Sequence, residues 1–146
     1  MGSIVRGLML ALMAATGLAA DAGDPASIGD HDVHAIRGVV EAQLKALAAD
    51  DAVLAFSYAS PSVRMQFGDP GSFISMVREG YSMLIRPSDI AFLQPQSAEG
   101  GVAQPVYFRD EEGRTWLATY QMQRQPDKSW RINGCVVEAE DGKFLI

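Results

Sequence analysis

Residues 55–84 read AFSYASPSVRMQFGDPGSFISMVREGYSML, and two joints inside this stretch decide the fold. Ser60-Pro61 and Asp69-Pro70 each place a capping side chain before a proline. At the first helical position proline's missing N–H costs nothing, and its fixed φ suits the helix. Each joint therefore opens a helix. The first ends at Gly68. The second runs to about Leu84 and carries Phe73, Met76, Val77, Tyr81 and Leu84 on one face. Arg86-Pro87 stops it, because the residue before a proline disfavours the helical region.

Upstream the helical period continues. Val33, Ile36, Val40, Leu44 and Leu47 recur at steps of three and four, which gives a helix over Asp32–Ala49 with one apolar face. Asp30 or Asp32 is placed to cap it, and Gly38 weakens it slightly. Asp50-Asp51 breaks that helix and caps a short one over Asp51–Tyr58.

Downstream, from Asp89, the period becomes two. Ile90–Gln94 reads as a strand. Gln104, Val106 and Phe108 alternate in a second, and Trp116, Ala118, Tyr120 and Met122 in a third. Trp130 and Ile132 begin a fourth. Glu99-Gly100-Gly101, Glu111-Glu112-Gly113 and Pro126-Asp127-Lys128 are turn sequences between them, so the strands form an antiparallel meander. Pro105 must sit where its missing N–H spoils no ladder bond. Gly134 marks a bulge that brings Cys135 and Val137 onto the face of Ile132. Helices followed by a meander give an α+β fold, with N-terminal helices packed on one face of a curved four-stranded antiparallel sheet.

That order resembles the cone of the nuclear transport factor 2 and ketosteroid isomerase superfamily, often called cystatin-like. Within it the chain resembles a bacterial domain-of-unknown-function family, number 4864. The residues that carry the likeness are Gln43, Asp50-Asp51, Ala55 to Pro61, Phe67, Phe73, Met76-Val77 and Tyr81. Gln104, Ala118, Tyr120, Trp130-Arg131-Ile132 and Gly134 complete it. The likeness spans nearly all of the chain after its first residues and implies no known activity.

The first residues read as an export address. Arg6 gives a positive start, Gly7–Leu18 is apolar but far short of the roughly 20 residues that span a membrane, and Ala20-Asp21-Ala22 fits a small-x-small cleavage pattern. The expected organisation is a signal peptide over 1–22, a disordered lead-in over 23–31 and one domain over 32–146, in a periplasmic or secreted protein with no membrane span in its mature form. Cleavage is expected after Ala20 or Ala22; removal of residues 1–20 takes away Arg6 as the only charged residue, so the net charge of −6 becomes more negative by one. An acidic surface without basic clusters argues against nucleic acid. Cys135 is the only cysteine, so no disulfide staples the chain to itself, and its apolar neighbours Val136 and Val137 predict a buried, reduced thiol.

No catalytic signature is present: no nucleophile elbow, phosphate loop or paired-cysteine site. Asp30-His31-Asp32-Val33-His34 resembles a metal-ligating cluster but lacks a spaced third ligand, and it reads as a solvated helix start. No metal or cofactor is expected. Arg78, Tyr81 and Arg86 form a candidate polar mouth, against the simpler reading of a solvated helix face. The superfamily resemblance implies a cone able to hold an apolar ligand, and in ketosteroid isomerases also an Asp base with an oxyanion-binding Tyr and acid. The inward strand positions here, Gln104, Trp116, Tyr120, Met122, Trp130 and Ile132, include no acid. The favoured reading is a non-enzymatic module binding a small apolar ligand or a protein, with Tyr58, Tyr81, Gln104, Trp116 and Tyr120 as candidate ligand-binding residues. The competing reading is an enzyme that pairs Tyr58, Tyr81 or Tyr120 with Asp89 or Asp110 for proton transfer. The outer face of the sheet, with Thr115, Leu117, Thr119, Gln121, Gln123, Tyr107, Arg109, Arg131 and Asn133, is uncharged in its middle, and the resemblance implies a homodimer through it.

Overall fold

The computed structural model of the chain describes residues 28–140. The expected export address and the expected lead-in up to residue 27 lie outside the described residues. Four helices come first: α1 (Asp30–Ala48), α2 (Ala52–Ser57), α3 (Pro61–Phe67) and α4 (Pro70–Gly80), with a 3₁₀ turn over Ser82–Leu84. Five antiparallel strands follow: β1 (Asp89–Phe92), β2 (Gln96–Ala98), β3 (Gly101–Arg109), β4 (Thr115–Arg124) and β5 (Trp130–Glu140).

Both proline joints behave as the sequence dictates. Ser60 Oγ accepts from Val63 N at 3.2 Å, Asp69 Oδ1 accepts from Ser72 N at 2.7 Å, and prolines 61 and 70 stand in the first turn. Asp51 caps α2 through Leu54 N. Gly68 ends α3 at φ 86, a left-handed conformation that favours glycine.

Three sequence expectations are corrected here. The cap of α1 is Gly29, which gives no side-chain bond, while Asp30 and Asp32 lie inside the first turn. Asp32 instead accepts a hydrogen bond from Trp130 Nε1 at 3.2 Å and stands 3.6 Å from Arg124. The helix expected to reach Leu84 stops at Gly80, because Tyr81 leaves helical geometry at φ −136 and a 3₁₀ turn takes over. The sheet also contains one strand more than the alternation revealed: β2 is only three residues long, too short for a period to register.

The strand order is β1-β3-β4-β5, and β2 pairs with β3 beyond the end of β1. Pro105 falls opposite the break between β1 and β2. Its carbonyl accepts from Leu93 N at 3.0 Å, so its nitrogen faces the same break and no ladder bond to β4 is lost. The bulge lies where Gly134 indicated. Met122 pairs with Ile132 and Gln121 with Gly134, which leaves Asn133 as the extra residue. Gly134 takes φ 152, and past it Cys135 pairs with Tyr120 on the inner face. Gly101 is a place where only glycine fits, since a Cβ there would lie 2.0 Å from the Met122 carbonyl oxygen.

Ile36, Val40, Leu44 and Leu47 of α1 bury their stripe with Phe56, Phe73 and Val77, against Val106, Phe108, Ala118, Tyr120 and Met122 of the sheet. One edge contact sets up the region described next. The segment after α2 lies parallel to β5: Ser60 N donates to Ile132 O at 2.8 Å and Ile132 N donates to Tyr58 O at 2.9 Å. Ser60 Oγ also donates to Asn133 Oδ1 at 2.7 Å. Helix α3 therefore departs from the bulged edge of the sheet.

Candidate functional site

Between the bulged strands and the helices lies a cavity of about 460 Å³. Gln43 and Leu47 of α1 form one wall, and Val63, Gln66 and Phe67 of α3 another. Phe73, Met76 and Val77 of α4, with Tyr81 and Leu84, form a third, while Tyr120, Ile132, Gly134 and Cys135 supply the sheet side. Phe73 packs edge-on against Phe67 at 5.7 Å and tilted against Phe56 at 5.5 Å, which fixes the aromatic part of the wall. Gln66 and Asn133 are exposed and mark the rim. Among the described residues that line the cavity, none is acidic, basic or a histidine.

Tyr120 is the unusual member. It is 1% exposed, and its hydroxyl is closed to solvent with no hydrogen-bond partner. Buried polar groups are nearly always paired, because an unpaired one loses its water and gains nothing. Burial raises the Tyr120 pKa well above the ordinary value, and repulsion from an ionised Cys135 adds to it. The phenol therefore stays neutral and keeps its proton to donate. Burial also pushes the Cys135 thiol up to about 12, so this wall carries no thiolate near neutral pH. Gln43 is buried as well. Its Nε2 donates to Ala55 O at 3.1 Å, which satisfies the carbonyl and leaves the amide oxygen as an acceptor.

The structure brings together two of the five residues singled out from sequence, Tyr81 and Tyr120. The others stand elsewhere. Tyr58 is half-buried, and its carbonyl holds β5 through Ile132 N. Gln104 is buried and donates Nε2 to Leu93 O and Pro105 O, both at 2.8 Å, which stitches the break between β1 and β2. Trp116 lies toward the other end of β4, where its Nε1 donates to Asp110 Oδ2 at 3.0 Å and Arg114 stands 5.7 Å from its ring centroid.

The candidate polar mouth separates in the same way. Tyr81 faces the cavity, but Arg78 and Arg86 line a different, polar groove beside Trp116, Asp110, Glu111 and Glu112. Arg78 pairs with Asp50, and Arg86 Nη2 donates to Ala48 O at 2.9 Å. The carboxylates considered for proton transfer do not reach a cavity tyrosine. Asp110 accepts from Trp116 and from the backbone N–H groups of Glu112 and Arg114, and these bonds hold its carboxyl below the ordinary value. Asp89 is exposed and accepts from Ile90 N. At the start of α1, His31 and His34 are exposed. Among the described residues, no three His, Cys, Asp or Glu side chains converge as a metal site would require.

Sequence reasoning passed over Gln43, Cys135 and the α3 residues as wall elements. Gln43 had a signal: it is a polar side chain inside the apolar stripe of α1, between Val40 and Leu47. The α3 residues had none, since whether so short a helix lies over a cavity depends on the Ser60 contacts with β5.

No curated protein matches the chain. Over residues 30–144 it matches the family described as a domain of unknown function (DUF4864). That span holds every helix and strand given above and every wall of the cavity, and the chain belongs to this family.

Proposed function

We propose that the chain is a binding module that takes a small, mainly apolar molecule into the cavity between its helices and β4–β5. The observation that carries this reading is the cavity itself, about 460 Å³ lined by Leu47, Val63, Phe67, Phe73, Val77 and Ile132, with no charged side chain among the described residues of its wall. That volume lies within the range of ordinary ligand sites, which are mostly apolar with a few placed polar groups. The proton-transfer reading draws no support from the geometry, because among the described residues no carboxylate lines the cavity and Tyr120 resists ionisation. Titration with the neutral fluorophore N-phenyl-1-naphthylamine tests the module directly. One saturable site per chain is expected, weakened by Val63→Trp, which fills the α3 wall. Fluorescence that rises without saturating, alike in both proteins, contradicts it.

Three further expectations belong to the same proposal. Export to the periplasm or the medium is supported by the charged, apolar and small-residue order of residues 1–22. N-terminal sequencing of the exported protein should begin at Asp21 or Gly23, and a start at Met1 excludes cleavage. Placement in the nuclear transport factor 2-like superfamily is supported by helices packed on one face of an antiparallel meander. A homodimer through the open face is supported by Leu117, the cross-strand neighbour of Tyr107, and by Val136, which is 54% exposed beside Thr119.

A further inference from the structure

We infer that the molecule held in this cavity carries a hydrogen-bond donor, a hydroxyl or an amide N–H, that meets Gln43 Oε1 while its apolar body lies against the rest of the wall. The inference rests on the binding-module reading and narrows it to a ligand class. Gln43 is an amide set into the apolar stripe of α1, one turn from Val40 and from Leu47, and it is 4% exposed. One of its bonds goes to the protein: Nε2 donates to Ala55 O at 3.1 Å. That carbonyl also accepts from Tyr58 N at 3.3 Å, so it does not depend on Gln43. The bond acts chiefly on the side chain itself. Only the amide nitrogen donates to a carbonyl, so this contact fixes which end of the amide is which and holds Oε1 in one place.

Oε1 accepts from no described residue. It is not sealed off either: among the described residues, the buried side-chain polar atoms that lack both a partner and solvent are Thr115 Oγ1 and the Tyr120 hydroxyl. Gln43 lines the cavity, and its open oxygen therefore faces that space. The other carboxamides of the wall are less suited to hold a donor. Asn133 Oδ1 already accepts from Ser60 Oγ at 2.7 Å, and Gln66 is exposed, where water competes for its oxygen. A ligand without a donor strips water from Gln43 Oε1 and leaves it unpaired, at the full cost of a buried acceptor. A ligand with a donor restores the bond. Sites built around a hydrogen-bonding group reject an analogue that lacks its partner for this reason. An ammonium donor is disfavoured, because among the described residues no carboxylate lines the cavity to offset its lost hydration.

The test uses two isomers, 1-decanol and methyl nonyl ether, which share their atoms and an acceptor oxygen and differ in the hydroxyl donor. Each displaces N-phenyl-1-naphthylamine from the full-length chain, from Gln43→Met and from Gln66→Ala. Decanol should displace the fluorophore at about tenfold lower concentration than the ether. That preference should be lost in Gln43→Met and kept in Gln66→Ala. Comparing the preference between proteins cancels the difference in hydration of the two isomers. Equal displacement by both isomers in the unsubstituted chain overturns the donor class, and this comparison needs no variant. A preference that survives in Gln43→Met, with that variant folded by its urea melt, overturns the role of Gln43, as does one that vanishes in Gln66→Ala. These results leave the module reading standing. A fluorophore that never binds saturably, with the labelling rate of Cys135 on the same wall indifferent to both isomers, overturns the module itself.

Discussion

Replacing Tyr120 by Phe should make the ligand-free protein more stable. The ring sits in the core at 1% exposure and keeps its packing in the variant, so the apolar contribution is unchanged. Only the hydroxyl is lost. In the folded chain that oxygen has neither solvent nor a partner, whereas in the unfolded chain it is hydrated. Leaving such a group unpaired costs about 1–3 kcal/mol by mutational measure, so its removal should return about 1–2 kcal/mol. For a domain of this size, 1 kcal/mol shifts the melting temperature by about 4 °C, which gives a rise of roughly 4–8 °C. Calorimetry and urea melts on the ligand-free proteins measure it. A variant less stable by 1 kcal/mol or more would mean that the hydroxyl has a partner in the empty protein, and the argument from Tyr120 would fall.

Trp130→Ala should cost about 3–5 kcal/mol in urea melts, since the ring is buried and its Nε1 bonds Asp32; a cost below about 1 kcal/mol would show the ring to be dispensable to the core. Cys135, half-buried on the cavity wall with a raised pKa, should label more slowly in the folded protein near pH 7 than in denaturant, and equal rates would contradict it. Its raised pKa also fixes a sign: the folded state favours the neutral thiol, so this contribution is complete below the ordinary value of 9.0 and is lost as pH climbs toward about 12. The stability of the original chain should therefore fall over that window more steeply than that of Cys135→Ala, and equal slopes would argue against it. Leu117→Arg should give folded monomers from a protein that is otherwise dimeric, read by sedimentation; an unmutated chain that is monomeric at high micromolar concentration ends the dimer proposal.

The parts of the fold legible in the sequence were those with local causes. Ser60-Pro61 and Asp69-Pro70 fix helix starts through capping geometry within three residues, and both starts fall where expected. Gly134 needs only its own backbone freedom, and the bulge lies beside it. Failures occurred where a distant partner decides. Asp32 has the chemistry of a cap, but Trp130, 98 residues away, takes its carboxylate. Gln104 looked like a binding residue because an inward polar side chain is uncommon; its partners Leu93 and Pro105 became visible only with the strand break they span. Trp116 and Tyr120 share one face of β4, yet four residues of strand separate a groove from a cavity. Tyr81 and Tyr120 converge because α4 ends at Gly80 and turns its cap residue toward β4–β5, a boundary the helical period had overrun.

Native mass spectrometry on protein isolated without denaturation from the cells that make it tests the central claim most directly, with protein incubated with N-phenyl-1-naphthylamine beside it. The account predicts a chain that carries one small, mainly apolar molecule, released on unfolding. A chain of bare mass in both samples, under conditions that preserve the fold, would contradict it.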